Sequence, residues 1–432
     1  MNRGLPMRIE RAVPIDYNQL IQDDRVHSAL YTDPVIFDEE MEKIFHHGWV
    51  FVGHDSEIPN PGDYVTRQIG HQPVIMSRGK DGRVHVIRNR CAHRGNKVCA
   101  RDAGNNKVFA CPYHGWVYDL DGSLLDTPQA DGYGADFQKA AHGMVPAAQM
   151  EVYRGFVFAS LNQSGMTLAE HLGRATELLD RCADLSPEGE LQLTAGWLKH
   201  RFKANWKMLP ENDCDGYHVG FTHSSFMEAT DSQAIDLIQG GGEPVVRDWG
   251  NGHMEIDFGV AYRKRGIPFE WFGRVPASKL PDYVTAMEAR YGKEKSHEMF
   301  CGGPPHAIIF PNLFLGELNV VFYYPVSPGE CVQLYTPMLL KGAPEMNRRA
   351  IHQTEGAVGP GSFLIPEDVV IAERNQAGLA AQQPEWMDLS RGLHREYQED
   401  GLTVSHMSDE TVNRSFYRRY KTAMQRDLRA AT

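Results

Sequence analysis

The sequence has no excess of positive charge and no long apolar run. Its 432 residues include 44 lysines and arginines against 56 aspartates and glutamates, a formal net charge of −12. Proteins that bind nucleic acid need basic stripes, so this balance excludes that class of partner. No apolar run approaches the roughly 18 residues that cross a bilayer, and the N-terminal segment lacks the apolar core of a signal peptide. We therefore expect a cytoplasmic protein without membrane contact.

Paired cysteines are also lacking. The chain has seven cysteines, an odd and scattered number, which is a poor disulfide framework and is typical of a reducing compartment, where cysteine motifs usually bind metal. No Gly-x-Gly-x-x-Gly segment follows a strand-like run, so we do not expect the chain to bind NADH itself. The composition, 42% hydrophobic and 23% charged, is typical of a globular protein.

Strand-like segments dominate one part of the chain. From Trp49 onward, runs rich in Val, Ile, Tyr and Phe alternate with turn residues such as Lys80-Asp81-Gly82. This pattern predicts a small antiparallel domain over about residues 45–162. Residues 1–44 are predicted to be helical and to belong with 163–432, where helical and strand-like segments mix, and 240–243 is a predicted loop. The predicted fold class is α+β, with a β domain inserted into a larger domain.

Two short motifs in the β domain mix cysteine with histidine. Cys91-Ala92-His93 and Cys111-Pro112-Tyr113-His114 lie 17 residues apart. In a Rieske [2Fe-2S] centre two cysteines hold one iron and two histidines hold the other, and one thiolate and one imidazole from each loop supply that set. A structural Cys2His2 zinc site is the alternative, but zinc fingers usually pair cysteine with cysteine and histidine with histidine. We therefore favour the Rieske centre.

A third motif lies in the segment NWKMLPENDCDGYHVGFTH, residues 205–223. It holds His218 and His223, five residues apart, with Asp215 three residues before the first. Two imidazoles and a carboxylate from elsewhere would form the facial triad that suits non-haem Fe(II). We expect a helix here that bulges or loosens near Gly220, because the five-residue step turns a regular helix past one face. The alternative is a capped helix with structural histidines.

Together the motifs C-A-H-R-G, C-P-Y-H-G-W and E-N-D-C-D-G-Y-H-V-G-F-T-H resemble those of the large (alpha) subunit of Rieske non-haem iron aromatic-ring-hydroxylating oxygenases. The resemblance implies a Rieske [2Fe-2S] domain joined to a helix-grip (START-like) catalytic domain with a curved antiparallel sheet. It also implies two cofactors, one [2Fe-2S] cluster and one mononuclear Fe(II). The implied cluster ligands are Cys91, His93, Cys111 and His114, and the implied mononuclear ligands are His218, His223 and Asp368.

The third mononuclear ligand is chosen between two acidic neighbours. In such sites it is a carboxylate far downstream, and the corresponding segment here contains Glu367 and Asp368. The second acidic position matches the family ligand, so we choose Asp368. An alternative for the pair is a helix N-terminus decorated with acidic residues.

The resemblance also implies roles for Asp215 and Asn212. Asp215 would bridge His218 to His114 of a neighbouring subunit, where a carboxylate between two metal-bound imidazoles fixes their tautomers and passes an electron. Asn212 occupies a family position beside the iron. These roles imply an assembly of three alpha subunits, with a small beta subunit (α3β3) or without one (α3).

The implied function is that of a terminal oxygenase. It would take electrons from a separate NADH-fed reductase, with or without a ferredoxin, and use O2 to dihydroxylate a small aromatic substrate, with aromatic carboxylates as the expected class. Arg263 or Arg265 is a candidate to hold the substrate carboxylate, although both are equally expected as surface residues. The alternatives are a monooxygenase or demethylase on the same scaffold and, less favoured, a pure electron carrier. Candidates for the pocket wall are Met208, Phe221, Phe226, Met227, Ile308, Phe310 and Phe314.

A last helix is predicted from the C-terminal pattern. It would begin near Ser408 or Asp409, either of which suits an N-cap. Val412, Phe416, Tyr420, Met424 and Leu428 mark its apolar face. Its other side carries Arg414, Arg418, Arg419, Lys421, Arg426 and Arg429, which would form a solvated face or a docking surface for an acidic partner.

Overall fold

The structure is a computed structural model that describes residues 14–230, 244–273, 275–359, 361–381 and 383–428. The predicted loop at 240–243 and Arg429 lie outside these residues. The chain forms two compact units. One comprises Phe45–Leu168 with Gln192–Thr194, and the other comprises Met1–Ile44, Ala169–Leu191 and Ala195–Thr432. Helices and antiparallel sheets are both present, so the predicted α+β class is confirmed.

The smaller unit is built from three antiparallel sheets. The four-stranded sheet has the order Val84–Arg88, Gln72–Arg78, Asp63–Ile69, Ala103–Asn105. The three-stranded sheets have the orders Gln149–Tyr153, Phe156–Ser160, Val50–His54 and Phe109–Ala110, Val117–Tyr118, Leu124–Asp126. Short 3-10 helices lie at Asp55–Glu57, Ala130–Gly132 and Lys139–His142.

The turn residues of the smaller unit act as the sequence indicates. Lys80-Asp81-Gly82 joins two paired strands, and Gly82 has a φ of 80°, which a glycine adopts without a steric penalty. Asp81 accepts a hydrogen bond from the Arg83 N–H at 3.0 Å, the usual contribution of an aspartate to a turn. The core behind these strands contains Ile75, Ile87, Phe109, Trp116, Tyr118 and Leu120.

The larger unit contains a nine-stranded antiparallel sheet. Its order is Leu198–Phe202, Glu330–Pro337, Asn319–Ser327, Leu313–Gly316, His306–Ile309, His253–Asp257, Val245–Gly250, Leu402–His406, Tyr397–Glu399. The central strands are buried along nearly their whole length, so both faces of this sheet are covered. Further short strands are Arg25–His27, Trp386–Asp388, Leu191–Gln192 and Leu339–Leu340.

Fourteen α-helices accompany this sheet among the described residues. They are Tyr17–Leu20, Ala29–Thr32, Pro34–Glu40, Leu168–Leu172, Thr176–Asp184, Met208–Asp213, Val219–Thr222, Ser224–Thr230, Gly259–Arg265, Pro281–Tyr291, Lys293–Gly302, Pro344–Gln353, Leu364–Gly378 and Thr411–Met424. Met41–His46 and Thr354–Val358 are π-helical, and Gly173–Ala175, Glu270–Phe272, Ala277–Lys279 and Leu393–Arg395 are 3-10 helices. Among these described helices none is both long and apolar enough to cross a bilayer.

The last of these helices differs from its prediction in two respects. It runs over Thr411–Met424 with Glu410 as its N-cap, so the prediction of Ser408 or Asp409 as the cap is wrong. Its apolar face is buried as expected. Arg414, however, is only 2% exposed and donates to Glu396 Oε1 at 2.6 Å. Burial of Arg414 against Glu396, a half-buried residue on another segment, therefore removes it from the predicted solvated face.

Candidate metal centres

The two cysteine–histidine motifs form two loops of the same backbone design. In the first loop the Cys91 N–H donates to the Asn96 carbonyl at 2.8 Å and the Gly95 N–H donates to the Cys91 carbonyl at 3.0 Å. In the second, the Cys111 N–H donates to the Trp116 carbonyl at 2.8 Å and the Gly115 N–H to the Cys111 carbonyl at 3.0 Å. The offsets along the chain are identical. The two loops therefore hold their cysteines in matching positions, and each adds one histidine, two residues later in the first loop and three residues later in the second.

Burial separates the two kinds of ligand at these loops. The two cysteines are buried, whereas His93 and His114 are exposed, with their ring centroids 4.7 Å apart. Burial raises the pKa of the Cys111 thiol, and the nearby Cys91 raises it further. Two buried soft sulfurs behind two paired imidazoles are the donor set of a Rieske cluster. The arrangement fits the cluster better than a tetrahedral zinc site.

Aromatic neighbours that sequence reasoning missed support these loops. Tyr118 lies with its hydroxyl 3.1 Å from Cys91 Sγ and accepts a hydrogen bond from the Ala92 N–H at 3.1 Å. The ring of Trp116 stacks on His93 at 5.0 Å between centroids. Hydrogen bonds to cluster sulfurs help to set the reduction potential. The hydrophobic run of Val117–Tyr118 indicated a strand but carried no signal of this contact.

The segment 205–223, which holds His218 and His223, is interrupted at more places than predicted. The helix Met208–Asp213 ends before Asp215, and residues 214–218 form a turn in which the Tyr217 N–H donates to Asp215 Oδ1 at 2.6 Å. Val219–Thr222 is a single helical turn, and a new helix starts at Ser224. The predicted loosening of the helix near Gly220 is therefore observed, in the form of interruptions at residues 214–218 and at His223 and not of a bulge. The breaks let two histidines five residues apart approach each other.

Three side chains converge at this place. The ligand atoms of His218, His223 and Asp368 all lie within 4.8 Å of one another. The two Nε2 atoms are 3.3 Å apart, and Asp368 Oδ1 is 3.1 Å from His223 Nε2 and 3.5 Å from His218 Nε2. Two imidazoles and one carboxylate that point to one spot fit a facial triad for non-haem Fe(II).

The outer nitrogen of each histidine is held by a second carboxylate. His218 Nδ1 is 3.2 Å from Asp215 Oδ2, and His223 Nδ1 is 2.9 Å from Glu367 Oε2. Such contacts fix the tautomer and the ring orientation of a metal-binding histidine. The two acidic neighbours thus differ in place, because Asp368 lies in the ligand cluster and Glu367 lies behind it. Both are on the helix Leu364–Gly378, in its first two turns.

The pKa values of these groups follow from the short distances between the carboxylates and the two histidines. Burial lowers the pKa of His218, but Asp215 and Asp368 outweigh it and raise the value to about 9. The pKa of His223 is raised in the same way, chiefly by Asp368 against the effect of burial. Burial raises the pKa of Asp368, yet its contacts with the two histidines outweigh this and lower it. Without metal, the three groups therefore stabilise one another as ions.

A buried acidic residue, which sequence reasoning also missed, lies beside this cluster. Asp213 accepts a hydrogen bond from the Tyr323 hydroxyl, and its carbonyl accepts one from His306 Nε2 at 2.8 Å. Burial raises the pKa of Asp213 well above its ordinary value, and the Asp368 charge adds to this against the opposing effects of Tyr323 and His218. The segment E-N-D-C-D contains this aspartate, but no pattern in the sequence predicts its hydrogen bond with Tyr323.

Asn212 and the residues predicted to form the pocket wall differ in their burial. Asn212 lies half-buried in the helix Met208–Asp213, and its carbonyl accepts from the Asp215 N–H at 3.0 Å. Phe221 is 76% exposed, so its prediction as pocket wall is wrong. The other candidates are buried (Met208, Met227, Ile308, Phe310, Phe314) or half-buried (Phe226).

Neither arginine proposed for the substrate carboxylate is free to hold it. Arg263 is 3.3 Å from Asp257 Oδ2, and Arg265 is 2.6 Å from Glu270 Oε1. Both guanidinium groups are therefore committed to acidic residues of the same chain. The alternative, that both are surface residues without a role in substrate binding, agrees better with these contacts.

Comparison with known proteins identifies the family. The Rieske [2Fe-2S] domain matches residues 48–146, and the catalytic domain of the ring-hydroxylating alpha subunit matches residues 190–426. The anthranilate 1,2-dioxygenase large subunit of Acinetobacter baylyi is 33% identical over 385 residues, which cover 86% of this chain and 81% of that protein. The 2-halobenzoate 1,2-dioxygenase large subunit of Burkholderia cepacia is 32% identical over 382 residues, which cover 85% and 80%. Naphthalene 1,2-dioxygenase with indole bound superposes with a TM-score of 0.82 at 26% identity over 96% of each chain.

Fold, donor sets and comparisons together define the class: the chain belongs to the ring-hydroxylating oxygenase alpha subunits that carry a Rieske domain. It is a Rieske-type aromatic-ring-hydroxylating dioxygenase, and members of this family hold one Rieske [2Fe-2S] cluster and one mononuclear iron. The expected family, fold and cofactors are thereby confirmed.

Proposed function

We propose that the protein is the cytoplasmic terminal oxygenase subunit of a system that dihydroxylates an aromatic carboxylate with O2. Electrons come from a separate NADH-fed reductase, directly or through a ferredoxin. The observation that carries this proposal is the convergence of His218, His223 and Asp368 in a chain that also holds a separate pair of cysteine–histidine loops. A pure electron carrier has no use for the first of these centres.

The proposed ligands are those that the geometry brings together. Cys91 and Cys111 would hold one iron of the cluster, and His93 and His114 the other. His218, His223 and Asp368 would hold the mononuclear iron. When bound, the cluster supplies single electrons and the mononuclear iron supplies the site at which O2 reacts.

The chain's own residues orient these ligands. Asp215 fixes the ring of His218 through Nδ1, and Glu367 fixes the ring of His223 in the same way. Asp215 retains partial exposure, which suits the proposed contact with His114 of a neighbouring subunit in an assembly of three alpha subunits. We further propose a small beta subunit, as in the large-subunit relatives. Asn212 is proposed to lie beside the iron.

The substrate class is supported by the relatives and not by the arginines. Three relatives of 30–33% identity are named for anthranilate, 2-halobenzoate and toluate, all of which carry a ring carboxylate. A fourth, at 33% identity over 322 residues, is an N,N-dimethyl phenylurea N-demethylase subunit, which keeps a monooxygenase on the same scaffold as the second candidate.

A single turnover of the chemically reduced protein under 18O2 tests the proposal. The reaction is run with benzoates, salicylates and neutral arenes, and the products are weighed. We expect two labelled atoms in one product from an aromatic carboxylate. A single labelled atom would move the protein to the hydroxylase or demethylase branch. Iron analysis serves as the control, because an oxygenase holds three irons per chain and a carrier holds the two of the cluster.

A further inference from the structure

Four buried polar side chains form a wall beside the mononuclear site. The strands Asn319–Ser327 and Glu330–Pro337 are paired so that Tyr323 lies opposite Gln333 and Val321 lies opposite Tyr335. Side chains of directly paired residues leave the same face of a sheet. Since the Tyr323 hydroxyl donates to Asp213, this face is the one turned toward the helix Met208–Asp213. We name Asp213, Tyr323, Gln333 and Tyr335 the polar wall.

The polar wall has hydrogen-bonding capacity that the described residues do not use. Gln333 is 0% exposed, and its amide lies beside the Tyr323 hydroxyl. Neither amide atom has a further partner among the described residues. The Tyr335 hydroxyl, which is also 0% exposed, has no hydrogen-bond partner in the described part of the chain. Asp213 is 8% exposed, and only its Oδ2 is engaged by Tyr323. Buried polar groups are nearly always paired, and each exception calls for an explanation.

The place of the wall connects these groups to the reacting centre. The helix Met208–Asp213 packs against the helix Leu364–Gly378, which carries Asp368. Asp213 lies close enough to Asp368 and His218 for their charges to influence its carboxyl group. A group bound at the wall would therefore hold an aromatic ring next to the metal ligands.

The charges around the polar wall favour one kind of substituent on a bound aromatic ring. The two strands that carry it contain no lysine or arginine. On the neighbouring edge strand, Lys199 and Arg201 alternate with His200, the residue paired with Gln333, so they belong to the opposite face. The nearby charged side chains are those of Asp368 and His218. The wall itself offers no cation to an anionic substituent, whereas a donor would meet acceptor oxygens at Asp213 Oδ1, Gln333 Oε1 and the Tyr335 hydroxyl.

We infer that the polar wall is a substrate subsite for a hydrogen-bond donor carried by the aromatic ring, such as an amino, hydroxyl or amide N–H group. This inference rests on the proposed function, because it assumes that an arene binds beside the mononuclear site. The subsite would orient the ring through this donor, and it would reject an analogue in which the donor is replaced by a methyl group of similar size.

The test is equilibrium binding of a matched ligand pair to the oxygen-free protein with both metal centres loaded. The pair is 2-aminobenzoate and 2-methylbenzoate, measured by calorimetry, with aniline and toluene as the pair that lacks a carboxylate. We expect the amino compound to bind about tenfold or more tightly in each pair, since a hydrogen bond to a buried polar partner has that value.

Gln333→Met is the decisive variant, because it separates a ligand role from a structural one. Replacing this buried amide by an apolar side chain of similar length should change the melting temperature little, because the Tyr323 hydroxyl beside it keeps its hydrogen bond to Asp213. The amino-over-methyl preference should nevertheless fall to within about threefold. Asp213→Asn, which keeps an acceptor oxygen, should retain more of the preference than Asp213→Val. Tyr324→Phe is the matched control, because Tyr324 is the next residue on the same strand and faces the other way; its preference should equal that of the wild type.

The outcomes are distinguishable. Equal binding of amino and methyl compounds by the wild type overturns the subsite, and so does an unchanged preference in Gln333→Met. A donor preference that Tyr324→Phe also loses would place the effect in the strand as a whole and overturn it as well. If none of the arenes binds, the proposed function fails together with the inference that rests on it.

Discussion

At the scale of single residues, two neighbours in the sequence serve one histidine from opposite sides. Glu367 Oε2 contacts Nδ1 of His223, and Asp368 Oδ1 contacts Nε2. A metal would bind the His223 nitrogen that faces His218 and Asp368. Of the two acidic residues, only Asp368 is therefore placed to bind the same metal. The adjacent acid is placed to hold the ring still. A difference of one position along the helix therefore separates the proposed ligand from the residue that orients His223.

The raised pKa of His218 has a consequence for metal binding. With a folded-state pKa of about 9, His218 is protonated at pH 7 in the metal-free protein. Its charge stabilises the metal-free fold fully below the unfolded value of about 6.5, and this contribution is lost as pH rises through about 9. Iron must displace the proton. We therefore predict that Fe(II) uptake at pH 7 releases protons and that its affinity increases with pH up to about 9.

Anaerobic calorimetry in two buffers of different ionisation enthalpy measures this proton release. Asp215→Asn supplies the comparison, because it removes a carboxylate that raises the pKa of His218, and it should release fewer protons at pH 8. Uptake without any proton release at pH 7 would contradict the prediction.

At the scale of elements, each cysteine–histidine loop depends on one glycine. Gly95 and Gly115 both have a φ of 72°, a conformation that costs other residues roughly 1–2 kcal/mol. A Cβ at Gly115 would also lie 3.0 Å from Pro128 Cγ. We predict that Gly115→Ala lowers the free energy of unfolding by about 1–2 kcal/mol, measured by chemical denaturation.

Gly132→Ala is the control within the same unit. A Cβ at Gly132 would meet nothing within 4 Å, so its effect should stay within about 0.5 kcal/mol. Equal losses in the two variants would show that the loop conformation does not carry the cost.

The loops also show what the sequence can predict. Each loop joins its cysteine and histidine within a few residues, so spacing alone indicates the donor set. Asp213 and Tyr323 are 110 residues apart, and only the packing of the helix Met208–Asp213 against the sheet brings them together. Arg414 and its partner Glu396 also meet only in the folded chain, and their pairing turned a predicted surface residue into a buried one. The loosening of the helix near Gly220 follows from the five-residue step between His218 and His223, but that spacing does not fix where the interruptions fall.

At the scale of the whole molecule, a buried ion pair ties distant parts of the catalytic unit together. Lys207 Nζ and Glu40 Oε1 are 2.6 Å apart, and both side chains are 0% exposed. Glu40 also accepts from Trp206 Nε1 at 2.8 Å and from the Tyr420 hydroxyl at 2.6 Å. One carboxylate thus joins the helix Pro34–Glu40, the segment before the histidine motif and the helix Thr411–Met424.

Removal of the lysine should therefore be costly. We predict that Lys207→Met lowers the free energy of unfolding by about 3–5 kcal/mol, because it leaves the Glu40 charge buried without a partner. In a Glu40→Gln background the same substitution should cost much less, since the neutral amide needs no counter-ion. Thermal and chemical denaturation of the four proteins measures both effects. Equal costs in the two backgrounds would show that packing of the lysine stem, and not the charge, is what matters.

The alternation of the strands that carry the polar wall has a consequence for adaptation. Tyr323 faces Asp213, while its neighbours Phe322 and Tyr324 pack together on the reverse of the sheet, with ring centroids 4.9 Å apart. On the proposed subsite, point mutations at every second position would change substrate preference, and the intervening positions would keep the sheet stable. For the evolution of activity on a new aromatic compound, these two strands would therefore offer a small set of positions that is separate from the positions that stabilise the sheet.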